Sequence, residues 1–245
     1  MDHKSFDEFW AEFLQVTFHA DNPDLWPSRQ RKAIWCQEHL NLTQGASILD
    51  LGCGDGLIDI WLSRMGFRLT AVDRSRSVLE LAKAKDDTGK VYFLPADIRQ
   101  IQFEKASFDA VMVLETSGLM DKNEELMLFN RINDWLLPGG KFIIDCCESA
   151  ETFNSWKKMF RDGEVSCRSS FDSIVRMQHI DFSFAPTSGT AFGLFDPIRD
   201  DSPGISRYLY PKEELCAAMK NAGFNVQQVP HYYKNNYYGL VGTKV

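Results

Sequence analysis

The sequence predicts an α/β fold on a mostly parallel, doubly wound sheet, and three observations lead there. Between residues 45 and 146, apolar runs of strand length alternate with segments whose apolar residues recur at helical spacing, the rhythm of repeated βαβ units. A glycine loop, Asp50-Leu51-Gly52-Cys53-Gly54-Asp55-Gly56, closes the first run and opens onto a helical segment. Acids stand at the ends of the first three runs, Asp50, Asp73 and Asp97, spaced 23 and 24 residues apart.

The elements follow in order. The N-terminal stretch, with Phe9, Trp10, Phe13 and Phe18, reads as an amphipathic helix, and residues 1–44 as a helical lid in which Trp26 and Arg29 precede the helix leading to the first strand. That strand is Ser47 to Leu51, and the helix after the loop carries Ile58, Leu62 and Met65 before stopping near Gly66. The second strand, Arg68 to Val72, ends on Asp73. The next helix is capped by Ser75 or, as a capping box, by Ser77 with Glu80. Val91 to Leu94 is the third strand, with Asp97 just beyond it. Phe108 to Leu114 is the fourth, followed by Glu115-Thr116-Ser117-Gly118. Leu126, Phe129, Ile132 and Leu136 mark a helix that Pro138-Gly139-Gly140 is expected to terminate, and Lys141 to Cys146 is the fifth strand.

The rhythm then breaks. Residues 148–208 form an insert expected to hold a short helix, antiparallel strands over Ser173 to Phe184, and a turn at Thr187-Ser188-Gly189. It resumes in the C-terminal part, residues 209–245. There a helix after Pro211 carries Leu215, Ala218, Met219 and Ala222 on one face and ends at Gly223. Asn225 to Val229 and Tyr237 to Gly242 read as closing strands. The chain is thus expected to form one domain over 1–245, with residues 45–147 as its ligand-binding core.

Composition narrows the function. With 245 residues, 44% apolar and 25% charged, the chain can bury a sizeable core. A net charge of −7 without a Lys/Arg run argues against nucleic acid or an anionic membrane as partner. The apolar runs are too short to span a bilayer, and the start lacks the basic region and apolar block of a secretory signal. Six cysteines without C-x-x-C or framework spacing suit a reducing compartment, so the expected address is the cytoplasm. Five histidines without ligand spacing predict no metal site. Oligomeric state has no signature in the sequence.

In open parallel sheets, ligands bind beyond the carboxyl ends of the strands, where strand order reverses. A pyrophosphate loop needs glycine at position 57, which is Leu57 here, and no Gly-Lys-Ser/Thr completes a P-loop. The carboxylates of Asp50 and Asp55 disfavour a pyrophosphate and favour a cationic ligand.

Asp50 to Gly56 resembles the first motif of the class I S-adenosylmethionine-dependent methyltransferases. Val72-Asp73-Arg74-Ser75 is similar to their second motif and Pro95-Ala96-Asp97-Ile98 to their third. Phe108 to Glu115 is similar to the fourth-strand motif, and Leu136-Leu137-Pro138-Gly139-Gly140-Lys141 to the turn before strand five. The resemblance implies a Rossmann-like fold, with a mostly parallel seven-stranded sheet, one antiparallel strand and the insert as substrate cap. It implies S-adenosyl-L-methionine as cofactor. Asp50, Gly52, Cys53, Gly54 and Gly56 would then hold the methionine part, Asp73 the ribose hydroxyls, and Asp97 with Ile98 the adenine. Arg74 and Leu114 would flank the pocket, and Trp26 and Arg29 would close over it.

Methyl transfer from a sulfonium is an in-line displacement for which the protein supplies mainly orientation and desolvation. Glu115 is a candidate base or, equally, a wall of the cofactor pocket; His231, beside Tyr232 and Tyr233, is a candidate base or a packed histidine. His19 and His179 rank lower, and Thr116 and Ser117 are placed to orient substrate. The fourth-strand segment lacks the N/D-P-P-Y/F motif of many amino-methyltransferases acting on nucleic acid or protein, and the acidic cage of metal-dependent enzymes. The expectation is therefore metal-independent methylation of a small-molecule nitrogen or oxygen, with specificity set by the aromatic insert. A non-catalytic protein binding S-adenosylmethionine or S-adenosylhomocysteine is the alternative. A nicotinamide-dependent oxidoreductase is disfavoured by Leu57.

Overall fold

A computed structural model of the chain describes residues 25–150, 153–160, 163–186, 205–232 and 236–245. Helix α1 (Leu25–Leu40) leads into β1 (Ser47–Leu51), α2 (Leu57–Arg64), β2 (Arg68–Asp73), α3 (Arg76–Lys85) and β3 (Val91–Pro95). Then follow β4 (Phe108–Val113), α4 (Lys122–Trp135) and β5 (Leu136–Cys147). The insert contributes β6 (Phe153–Phe160), β7 (Gly163–Asp172), β8 (Met177–Pro186) and β9 (Ile205–Tyr208). The chain closes with α5 (Lys212–Asn221), β10 (Phe224–Val229) and β11 (Tyr237–Lys244).

Seven strands form one sheet in the order β10-β11-β5-β4-β1-β2-β3, and β11 runs antiparallel to both its neighbours. This is the mostly parallel Rossmann-like sheet with one antiparallel strand that the motifs imply. Its central strands read as continuous apolar runs because both faces are covered. On one face Leu49, Val111, Val113, Phe142 and Ile144 pack against Leu128, Phe129, Ile132 and Trp135 of α4 and Leu215 and Met219 of α5. On the other, Ile48, Ala110, Met112 and Ile143 pack against Ala33 and Cys36 of α1 and Ile58 and Leu62 of α2. Each of the buried Val, Leu, Ile, Phe and Met side chains contributes roughly 1.5–3 kcal/mol by burial. No described helix is long and apolar enough to cross a membrane.

Several boundaries differ from expectation for identifiable reasons. Ser75, not Ser77, caps α3, its Oγ accepting from the Val78 amide. Helix α4 starts with a capping box of Asp121 and Glu124 and buries Leu128, Phe129, Ile132 and Trp135, while Leu126 faces outward. Leu136 is already extended, so Pro138-Gly139-Gly140 does not end the helix but lies inside β5. The pairing of β4 with β5 shifts register there, and Gly139 at φ 75° lets the extra residues loop out.

The insert shows no helix among its described residues. It is a four-stranded antiparallel sheet in the order β6-β7-β8-β9, and the expected short helix is replaced by β6, paired along its whole length with β7. Cross-strand pairing outweighs local preference there. Residues 173–176 form a turn, with Arg176 at φ 56°, so the later strand begins at Met177 rather than Ser173. The N-terminal helix, the turn at 187–189 and the aromatics Phe192 and Phe195 lie outside the described residues. The insert joins the core through the Tyr208 amide, which donates to the Gly118 carbonyl at 2.8 Å, and through the Arg176 guanidinium, which bonds the carbonyls of Leu209 and Glu148.

Candidate functional site

Strand order reverses between β1 and β4, which opens a crevice above their carboxyl ends. On the β1 side, Gly52, Gly54 and Gly56 all take positive φ. A Cβ on Gly56 would lie 2.7 Å from Phe93 and 2.8 Å from Ala82, so that glycine serves the packing of the loop on β3 and α3. A Cβ on Gly54 would meet nothing within 4 Å, so that glycine borders open space where a ligand can reach the backbone. Asp73 accepts from the Gly54 amide at 3.1 Å and the Ser75 amide at 2.9 Å, bracing loop and helix together.

Asp50 is 2% exposed and its Oδ1 has no hydrogen-bond partner among the described residues. Its neighbour Asp59 is fully buried, with neither carboxyl oxygen partnered in the same way. Burial raises both pKa values, Asp50 to about 7, and at Asp59 the neighbouring Asp50 adds to the rise, so that Asp59 is held well above the ordinary carboxylate range. The Lys32 ammonium works against that rise at Asp50. Asp59 therefore keeps the proton, and Asp50 presents a buried oxygen that a cation can pair with. An orphaned acid beside an open glycine turn fits the ammonium-bearing end of S-adenosylmethionine. Asp55 is a correction: its carboxylate is not free for a ligand, because Oδ1 accepts from the Leu57 amide at 3.1 Å and Oδ2 from Arg29 Nε at 3.4 Å.

The β4 side holds a charge network. Lys32 of α1, only 1% exposed, places Nζ 2.8 Å from Asp145 Oδ2 and 3.0 Å from Glu115 Oε1. Arg29, one turn earlier, spans Asp55 and Glu115. Burial alone would depress the Lys32 pKa, but Asp145 and Glu115 outweigh it and hold the ammonium above its usual range. Asp145, buried equally, is likewise held well below the carboxylate range by Lys32, by His231 and by the Glu115 amide, which donates to it at 2.6 Å. Lys32 also lowers Glu115. Glu115 adopts φ 56°, a left-handed backbone rare outside glycine, and its amide bond to Asp145 accompanies that turn.

The other predicted residues fall as follows. Cys53 and Leu114 are buried at the crevice wall, and Arg74 is exposed. Asp97 lies beyond β3 in a two-pronged pair with Arg99, and Ile98 is half-buried beside it. Trp26 and Arg29 lie within the first turns of α1, not before it, and the Trp26 side chain is outside what the structure describes. Thr116 bonds the Leu114 carbonyl and covers Gly52, and the Ser117 hydroxyl is committed to Glu125. His231 is 3% exposed, packed among Trp35, Tyr232 and Tyr237, with Nε2 3.4 Å from Asp145. It stands behind Asp145. His179, on the insert, pairs with Ser206, and His19 lies outside the described residues.

Glu115, Ser117, Asp145 and Tyr237 of the core, Arg207 of the insert and Leu209 just after it line a cleft just beyond.

Sequence reasoning missed Lys32 and Asp145. Lys32 sits in Arg29-Gln30-Arg31-Lys32, which reads as solvated charge, yet helix phase turns Lys32 inward and Ile34 outward. Asp145 had a signal, an acid inside the apolar run Phe142-Ile143-Ile144-Asp145-Cys146-Cys147.

A family model described as a methyltransferase domain matches residues 48–140. The chain is 30% identical over 197 residues to the Bacillus subtilis (strain 168) protein named "Putative methyltransferase YqeM", covering 77% of each. It is 31% identical over 209 residues to a ubiquinone biosynthesis O-methyltransferase of Rickettsia typhi (strain ATCC VR-144 / Wilmington), covering 84% of this chain and 77% of the relative. Among solved structures, S-adenosylmethionine-bound CalS10, an amino pentose methyltransferase of Micromonospora echinaspora, matches with a TM-score of 0.68 at 16% identity, covering 100% of both chains. The motifs, the sheet order and these relatives agree, and the chain belongs to the class I S-adenosylmethionine-dependent methyltransferases.

Proposed function

We propose that the methyl acceptor is a small molecule, methylated on nitrogen or oxygen without a metal ion. The observation that carries this reading is the cleft beside Glu115, bounded by the core on one side and strand β9 on the other. Two of the similar proteins, an O-methyltransferase of ubiquinone biosynthesis and an amino pentose methyltransferase, are named for small-molecule chemistry and support the same class.

Bound S-adenosylmethionine supplies an electrophilic methyl on sulfur. In this reading Asp50 pairs with its ammonium and Gly52, Cys53, Gly54 and Gly56 let the chain approach it. Asp73 takes the ribose hydroxyls, and Asp97 and Ile98 the adenine. Arg74, Leu114, Trp26 and Arg29 form the surrounding wall. Glu115, paired with Lys32 and Arg29 and lowered in pKa, is a weak base; it orients the acceptor rather than taking its proton. His231 acts through Asp145 as a positioning residue. A neutral amine needs no base to attack. The reading takes residues 148–208 as substrate cap and places the protein in the cytoplasm, in keeping with its buried free thiols Cys36, Cys53, Cys146, Cys147 and Cys167.

The test is release of S-adenosylhomocysteine across fractionated metabolite, protein and nucleic-acid pools. Turnover is expected with metabolite fractions. Turnover confined to the macromolecular fractions would overturn the assignment.

A further inference from the structure

The cations around the crevice differ in how they are used. Lys32 is held by Asp145 and Glu115, and Arg29 by Asp55 and Glu115. Arg207 lines the same cleft, half-buried, and no carboxylate lies within ion-pair distance of it among the described residues. Its Nε donates to Gln178 Oε1 at 2.8 Å, and Tyr237 hydrogen-bonds to it. Gln178 sits directly opposite Arg207 in the β8–β9 register and is itself buried. The guanidinium is therefore fixed by neutral neighbours, and among the described residues no carboxylate pairs with its charge. The thiols of Cys146 and Cys147 on the same wall stay neutral because burial raises them. A planar guanidinium fork, preorganised and uncompensated in a cleft, matches a carboxylate or phosphate.

We infer that the acceptor carries an anionic group, carboxylate or phosphate, which Arg207 recognises from the insert side of the cleft. Glu115 follows the strand next to β1, whereas Arg207 belongs to β9. An acceptor spanning the two presents its nucleophile on the cofactor side and its anion on the cap side. The inference rests on the reading that this cleft takes the acceptor.

Titration calorimetry on the full chain saturated with S-adenosylhomocysteine tests it, with benzoate and phenyl phosphate as anionic probes and benzamide as the neutral match. The anions are expected to bind and benzamide to bind far more weakly. Arg207→Gln should weaken the anions about tenfold or more. Arg207→Lys, which keeps the charge without the fork, should fall between. Affinity for S-adenosylhomocysteine should stay within about twofold of the parent, since Arg207 lies on the far strand. If Arg207→Gln loses that affinity through misfolding, Arg207→Lys carries the comparison. The tighter of the two anions identifies the group. No anion binding, equal binding by the Arg207 variants, or benzamide as tight as benzoate overturns the inference. Such a failure leaves the small-molecule assignment standing, whereas turnover confined to macromolecular fractions removes that assignment without altering the titration.

Discussion

Replacing Lys32 with methionine removes the buried ammonium while keeping most of its stem. At an effective dielectric of about 20, the 2.8 Å pair with Asp145 is attractive by roughly 6 kcal/mol. The 3.0 Å pair with half-exposed Glu115 adds at most about 1 kcal/mol after solvent screening. Desolvation of the ammonium offsets much of this in the parent, but the variant leaves Asp145 charged, 1% exposed and deprived of its main partner. Losses of about 3–5 kcal/mol are usual for such a break. The lower end, about 3 kcal/mol, is expected because Asp145 keeps the Glu115 amide and His231. Urea unfolding at pH 7 measures it as a shift in midpoint at unchanged slope. Asp145 has a depressed folded pKa, so its contribution is complete above the unfolded value of about 3.9 and is lost as pH falls through the folded one. The gap between parent and variant should therefore narrow below about pH 4. Adding Asp145→Asn, which preserves an acceptor for the Glu115 amide, should recover about 2 kcal/mol. A loss under about 0.5 kcal/mol, or a double variant no better than the single, would show that the lysine stem matters and its charge does not.

Asp73→Ala should weaken S-adenosylmethionine binding at least tenfold and reduce stability by about 1–2 kcal/mol, since it removes acceptors from two backbone amides; near-parental affinity by calorimetry would refute the ribose role. Gly56→Ala should cost about 2–4 kcal/mol, from left-handed backbone and contacts at 2.7 and 2.8 Å. Gly54→Ala, with open space around its Cβ, should cost about 1 kcal/mol in stability yet impair cofactor binding; thermal melts with and without ligand separate the two, and a harmless Gly54→Ala would contradict the cradle. Asp59→Asn should stabilise more at pH 8 than at pH 5. The parent carboxyl has a raised folded pKa and loses stability as pH climbs from about 4 towards that value, a loss asparagine cannot suffer. A melting-temperature difference that does not grow with pH would refute the buried-proton assignment.

Most of the fold was legible because both faces of the sheet are covered, so β1, β2, β4 and β5 stand out as apolar runs ending in acids or glycines. Where legibility failed, tertiary contacts overrode local signals. Pro138-Gly139-Gly140 has the composition of a helix stop, but its bulge is decided by pairing with β4. The start of the insert joins a sheet whose partner strands lie many residues away. Among the candidate site residues, Asp50, Asp73 and Asp97 stand out in the sequence as strand-end acids because their spacing repeats the βαβ unit. Asp55 looked equivalent to Asp50 from the sequence. What separates them is that Arg29 and the Leu57 amide satisfy Asp55, while Asp50 Oδ1 has neither.

The charge arrangement explains why helix α1 matters to a site whose motifs lie elsewhere. The family model matches residues 48–140, and both Lys32 and Asp145 fall outside it. Glu115, Asp145 and Asp55 would otherwise compete with Asp50 for a cationic ligand. Lys32 and Arg29 pair with all three, leaving Asp50 Oδ1 as a buried carboxyl oxygen without a partner. The same ammonium opposes the burial-driven rise in the Asp50 pKa and so favours its ionised form. One buried lysine thus acts on both halves of the crevice. It neutralises the β4–β5 side, where we propose that an acceptor approaches, and favours the ionised form of Asp50 on the β1 side, where we propose that the cofactor's ammonium settles. Losing it should harm cofactor affinity as well as stability, although Lys32 pairs with neither Asp50 nor any residue of the glycine loop.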